Sequence, residues 1–90
     1  MTTLFEPIEV YTQPNCKPCD DVKLKLEAAG IEFEVIDITT DAQALAYVTQ
    51  VLGAKSTPII VTATHEPVIG DRPKELADLI EFYTASETGV

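Results

Sequence analysis

Tyr11-Thr12-Gln13-Pro14-Asn15-Cys16-Lys17-Pro18-Cys19 carries the only two cysteines of this 90-residue chain, at the junction between a strand-like and a helix-like run. A cysteine at the start of a helix meets unpaired backbone N–H groups and the positive end of the helix dipole, both of which favour its thiolate. Cys16 is therefore the expected nucleophile, with the charge of Lys17 beside it. Cys19 falls one turn further in, on the apolar side with Val22 and Leu26, where burial keeps it a thiol. Asp20 and Asp21 suit the helix dipole but oppose a neighbouring thiolate by like charge. The chemistry such a pair performs is disulfide exchange: one sulfur attacks, the other resolves the mixed disulfide.

Outward from this stretch, the punctuation of the chain divides it into short elements. Ile8 to Thr12 reads as a strand with Ile8, Val10 and Thr12 on one face and Glu9 and Tyr11 on the other. From Lys17 the apolar positions Cys19, Val22, Leu26 and Ala29 recur at helical spacing, Asp21 and Lys25 form an i,i+4 pair, and Gly30 supplies a stop. Ile31 to Ile38 is a second strand, parallel to the first because a helix-length crossover separates them. Thr39, Thr40 and Asp41 are N-cap candidates for a second helix with Leu45, Val48 and Leu52 on one face, closed by Gly53. Pro58 to Thr62 is the most apolar strand, and Ala63 to Pro67 turn it into a short partner, Val68-Ile69, broken by Gly70. Pro73 opens a last helix whose stripe is Leu76, Leu79, Ile80 and Tyr83. One domain over residues 1–85 is expected, with 86–90 as a flexible tail and Ala85 to Val90 fraying.

Composition limits the function. Fifteen acidic against six basic side chains give a net charge of -9, which argues against nucleic acid or an anionic membrane surface as partner. No apolar run approaches the roughly 18 residues of a membrane span, and Met1 to Pro7 shows no basic or apolar leader pattern, so a cytoplasmic protein, expected as a monomer, is the reading. Two cysteines this close cannot staple a secreted fold. Half of a zinc site is the competing use of the pair, but His65 is the only histidine and falls in a turn far along the chain, so no metal is expected.

The order β-α-β-α-β-β-α, with a CxxC at the first strand-to-helix turn, resembles the thioredoxin fold in its minimal, glutaredoxin-like form: an α/β domain with a four-stranded mixed sheet flanked by three helices. Cys16-Lys17-Pro18-Cys19, Ser56-Thr57-Pro58 and Gly70-Asp71-Arg72-Pro73 carry the likeness. The resemblance implies that Pro58 is in cis and that the Thr57 backbone pairs with an extended substrate strand beside Cys16. Tyr11 is the residue that could flank the dithiol or pack in the sheet. The last segment is similar to the Gly-x-Arg-Pro of the NrdH-redoxin family, and makes Gly70, Asp71 and Arg72 candidate contacts. That family implies electrons drawn from NADPH through thioredoxin reductase and passed to a class Ib ribonucleotide reductase, with no bound cofactor beyond the Cys16–Cys19 disulfide itself. The chain departs from the family where Val68 and Asp71 replace aromatics around Gly70.

Two alternatives stand beside this reading. A glutathione-dependent glutaredoxin usually carries Cys-Pro-Tyr-Cys and Gly-Gly-x-Asp-Asp; here Pro18 replaces the tyrosine and Gly70 alone replaces the glycine pair. A redox-sensing interaction protein is similar in its opening motif, but such relatives insert helices where only Ala54 to Thr57 separate Gly53 from Pro58. Lys17, Lys55, Arg72 and Lys74, four of the six basic residues, lie beside the three segments and are expected to form a basic rim around Cys16.

Overall fold

The computed structural model describes residues 8–62 and 65–88. Eight elements follow in order: β1 (Ile8–Thr12), α1 (Lys17–Ala28), β2 (Phe33–Asp37), α2 (Ala42–Ala46), a π-helical turn over Tyr47–Val51 that continues α2, β3 (Ile59–Val61), β4 (Val68–Ile69) and α3 (Pro73–Thr88). The strands form one mixed sheet in the order β2-β1-β3-β4. β1 and β2 are parallel, with Ile8 opposite Phe33 and Thr12 opposite Asp37, a pairing that needs the crossover α1 provides. β3 runs antiparallel to both β1 and β4, with Val10 opposite Ile60 and Ile59 opposite Ile69. This is the minimal thioredoxin architecture that the sequence implied.

Side chains alternate across the sheet, and helices cover both faces. Ile8 and Val10 point into a core shared with Val22 and Leu26 of α1 and with Leu76, Leu79 and Tyr83 of α3. Tyr11 points the other way, into a core with Ala44, Val48, Ala54 and Ile59. A fully enclosed leucine such as Leu26 contributes about 1.5–3 kcal/mol by leaving water, so the two small cores are the main source of stability.

Several boundaries differ from the sequence reading, each for a local reason. β2 is shorter than Ile31 to Ile38 because the Ile31 N–H still caps α1, donating to the Leu26 carbonyl after Gly30 adopts φ +74°. At its other end the Asp37 carboxylate accepts both the N–H (2.8 Å) and the hydroxyl (2.6 Å) of Thr39, which turns the chain. These two bonds, the hydroxyl's first, hold the Asp37 pKa below the usual carboxylate value.

The side chain that caps α2 is Asp41, accepting the Ala44 N–H at 3.0 Å. The buried stripe of this helix is Ala44 and Val48, while Leu45 is exposed. Leu45 stands one position off a face spaced in fours from Ala44, and Leu52 packs only partly. In α1 the ion pair is Lys23–Asp20 at 3.5 Å rather than Asp21–Lys25. α3 continues to Thr88, past the expected fraying at Ala85, because no breaker occurs before Gly89. Ala63 and Thr64 of the predicted turn lie outside the described residues, as do 89 and 90 of the predicted tail.

Candidate active site

Asn15 takes a left-handed conformation (φ +60°), which asparagine tolerates better than most residues, and so swings the chain from the end of β1 into α1. Cys16 follows as the N-cap. Its Sγ accepts the Cys19 N–H at 3.2 Å and its carbonyl accepts the Asp20 N–H, also at 3.2 Å. Cys16 and Cys19 are joined as a disulfide with their Cα atoms 5.2 Å apart. The two sulfurs differ in access: Cys16 is partly exposed, whereas Cys19 is 1% exposed and sits on the buried side of α1 with Val22 and Leu26. A substrate can therefore reach only the first.

The second segment arrives from far along the chain. Thr57 donates its hydroxyl to Cys16 Sγ at 3.4 Å, and the Thr57–Pro58 peptide bond is cis, with Pro58 buried. The sequence named Thr57 for its backbone and missed this hydroxyl contact; the residue type was visible, but the distance across 41 residues was not.

The third segment is tied to the second. The Gly70 N–H donates to the Pro58 carbonyl at 2.8 Å. Gly70 has φ +84°, a conformation that calls for glycine, and a Cβ there would make a tight 3.1 Å contact with Ser56 Oγ. Arg72 folds back, its Nε donating to the Ile69 carbonyl at 3.1 Å, with Glu75 at 3.9 Å from its guanidinium. Pro18 and Asp21 at the start of α1 line one narrow cleft with Gly70, Asp71 and Arg72. All three segments thus meet around the dithiol.

The four residues expected as a basic rim are interleaved with acidic ones. Lys17, Lys55, Arg72 and Lys74 are exposed, and Arg72 and Lys74 border an open cleft with Ser56 and Gly70. Asp20, Asp21, Asp71 and Glu75 stand among them in sequence and are exposed too, so this end of the molecule is balanced in charge rather than strongly positive.

Tyr11 does not join the site. Its ring packs 5.8 Å from that of Tyr47 in the second core, and its hydroxyl donates to Glu9 Oε1 at 3.0 Å, two residues back along β1. Burial first, and then the Glu9 carboxylate, push the phenol's pKa upward. Alternation placed Tyr11 on the α2 side of the sheet, and the helix covered it. His65 is exposed, as expected of a turn residue, with its ring edge-on to Phe82 at 4.8 Å. Among the described residues no group of three or more His, Cys, Asp or Glu side chains is placed to hold a metal ion.

A glutaredoxin family model matches residues 8–65. The chain belongs to the glutaredoxin family. The gene 56 protein of Mycobacterium phage L5 is 56% identical over 88 residues, covering 98% of this chain and 85% of that protein. The SPbeta prophage-derived thioredoxin-like protein YosR of Bacillus subtilis is 36% identical over 72 residues, 77% of this chain and 88% of its own length. Among solved structures, the glutaredoxin-like protein NrdH-redoxin from Escherichia coli superposes with a TM-score of 0.71 at 27% identity, covering 82% of this chain and 95% of that one. A glutaredoxin-family fold with its CxxC pair at the start of α1 makes this protein a thiol-disulfide oxidoreductase. No helix of the described residues is long and apolar enough to cross a membrane.

Proposed function

We propose that this protein is a cytoplasmic redoxin that takes electrons from thioredoxin reductase and delivers them to a disulfide of ribonucleotide reductase. Reduced Cys16 attacks one sulfur of the substrate disulfide as a thiolate, forming a mixed disulfide and releasing the other substrate sulfur as a thiolate. Cys19 then loses its proton and attacks Cys16 Sγ; the Cys16–Cys19 bond forms, and the second substrate sulfur leaves. Two electrons have passed from the protein to the substrate, whose two thiolates take up protons. The reductase restores the dithiol with two electrons from NADPH. The Cys19 and Thr57 donors at Cys16 Sγ stabilise the charge this sulfur carries as attacking and as leaving group.

The loop Gly70-Asp71-Arg72-Pro73 carries the choice of electron supply. It is pinned by Gly70 to Pro58 and folded by Arg72 onto Ile69, beside the dithiol, where glutathione users present a glycine pair and two acids. The Escherichia coli protein to which the chain is similar is described as glutaredoxin-like with a thioredoxin-like activity profile, which supports the same reading. The test runs oxidised protein with NADPH and thioredoxin reductase, and in parallel with NADPH, glutathione and glutathione reductase, following NADPH loss. Turnover in the thioredoxin reductase arm is expected. Turnover confined to the glutathione arm overturns the assignment.

A further inference from the structure

The two edges of the sheet differ in what they leave open. At β4, only two residues long, the Ile69 carbonyl is taken by Arg72, so little backbone remains to template another strand. At β2, five residues run along the opposite edge, and among the described residues no strand lies beyond them. Two flanking bonds fix how these residues are turned: the Ile8 N–H donates to the Glu32 carbonyl, and the Ile38 N–H to the Thr12 carbonyl. Backbone groups alternate sides along a strand, so the even-numbered residues face β1 while Phe33, Val35 and Asp37 aim theirs outward. Thr40 uses the Asp37 carbonyl. Among the described residues no strand lies beside the outward groups of Phe33 and Val35 or the Asp37 N–H.

The side chains around this edge state what it would accept. Val35 is 49% exposed, and a cleft of about 450 Å³ continues from it past Asp37 and Asp41. Glu32 and Glu34 are exposed on the adjoining positions of the other face. From Leu26 to Ala54 the chain has no lysine or arginine but has Glu27, Glu32, Glu34, Asp37 and Asp41. A second copy, with net charge -9 and the same acidic edge, is repelled.

We propose that the β2 edge docks an extended basic segment of a partner protein, which adds to the sheet beside Phe33–Asp37. Backbone groups of Phe33 and Val35 supply the ladder, an apolar partner residue covers Val35, and alternate lysines or arginines meet Glu32 and Glu34 and enter the cleft beside Asp37 and Asp41.

The probe is a synthetic peptide alternating arginine and valine, with a copy carrying glutamate for arginine as control, read by amide hydrogen exchange. In the free protein the Phe33, Val35 and Asp37 amides are expected to exchange faster than those of Glu34 and Ile36; saturating basic peptide slows them about tenfold or more, and the acidic peptide does not. Val35→Pro removes an outward N–H without touching the β1 ladder, and weakens the basic peptide about tenfold. Glu34→Lys, a surface change that spares the fold, weakens it severalfold at low salt and less at high salt. Four results overturn the proposal: outward amides already protected in the free protein, binding without protection there, equal binding of the acidic peptide, or no binding at about 1 mM. The readout is binding and not turnover, so its failure is separable from failure of the electron-transfer reading.

Discussion

α1 and α2 each begin on a side chain that accepts the N–H three residues ahead: Cys16 Sγ from Cys19 at 3.2 Å, and Asp41 Oδ1 from Ala44 at 3.0 Å. Both caps have extended backbone, with φ -114° and ψ 101° at Cys16 against φ -127° and ψ 100° at Asp41. The difference is what reaches them from elsewhere. Thr57 bonds to Cys16 across 41 residues, and the loop at Gly70 locks onto Pro58 behind it. Among the described residues the Asp41 side chain accepts only from Ala44, within its own helix. The same local geometry therefore stabilises a helix in one place and prepares a nucleophile in the other, and long-range assembly separates the two.

The comparison breaks most visibly at the sulfur. Cys16→Ser keeps an N-cap acceptor but removes the nucleophile, so turnover is abolished while circular dichroism retains the fold. Cys19→Ser leaves attack intact and removes resolution; the mixed disulfide accumulates and appears in non-reducing mass spectrometry. Thr57→Val removes the donor that Asp41 has no counterpart for, and lowers kcat/KM about tenfold, the worth of one hydrogen bond to a charged acceptor, with little change in unfolding midpoint. Asp41→Ala gives the reverse pattern, a loss of about 1 kcal/mol in urea unfolding with turnover unchanged, and Asp41→Asn restores most of it.

The smallest effect is at Asp37. Its pKa is lowered in the folded protein by Thr39, so its contribution to stability is complete above the unfolded value of 3.8 and is lost as pH falls through the folded value. Asp37→Asn is expected to flatten the decline in unfolding midpoint between neutral pH and pH about 3, compared with the wild type.

Much of the fold was legible because its signals are local. Apolar periodicity, the stops at Gly30, Gly53 and Gly70, and the prolines at 14, 58 and 73 mark the order of strands and helices without reference to distant residues. Errors arose where neighbours in space decided the outcome. Leu45 was placed inward by spacing, but Ala44 and Val48 face the sheet; Tyr11 was open to either role until α2 covered it. Lys17, Lys55, Arg72 and Lys74 flank the three segments in sequence, but exposed Asp20, Asp21, Asp71 and Glu75 stand among them.

The chain alone determined that a dithiol stands at a helix start and which cysteine lies on the apolar side, because a capping position and a helical stripe are properties of a few consecutive residues. Only the tertiary structure decided that the Thr57 hydroxyl reaches Cys16, that a Cβ at Gly70 would stand 3.1 Å from Ser56 Oγ, and that among the described residues no strand lies beyond β2. Those are distances between residues far apart in sequence, set by how helices pack on both faces of one sheet, and no local pattern encodes them.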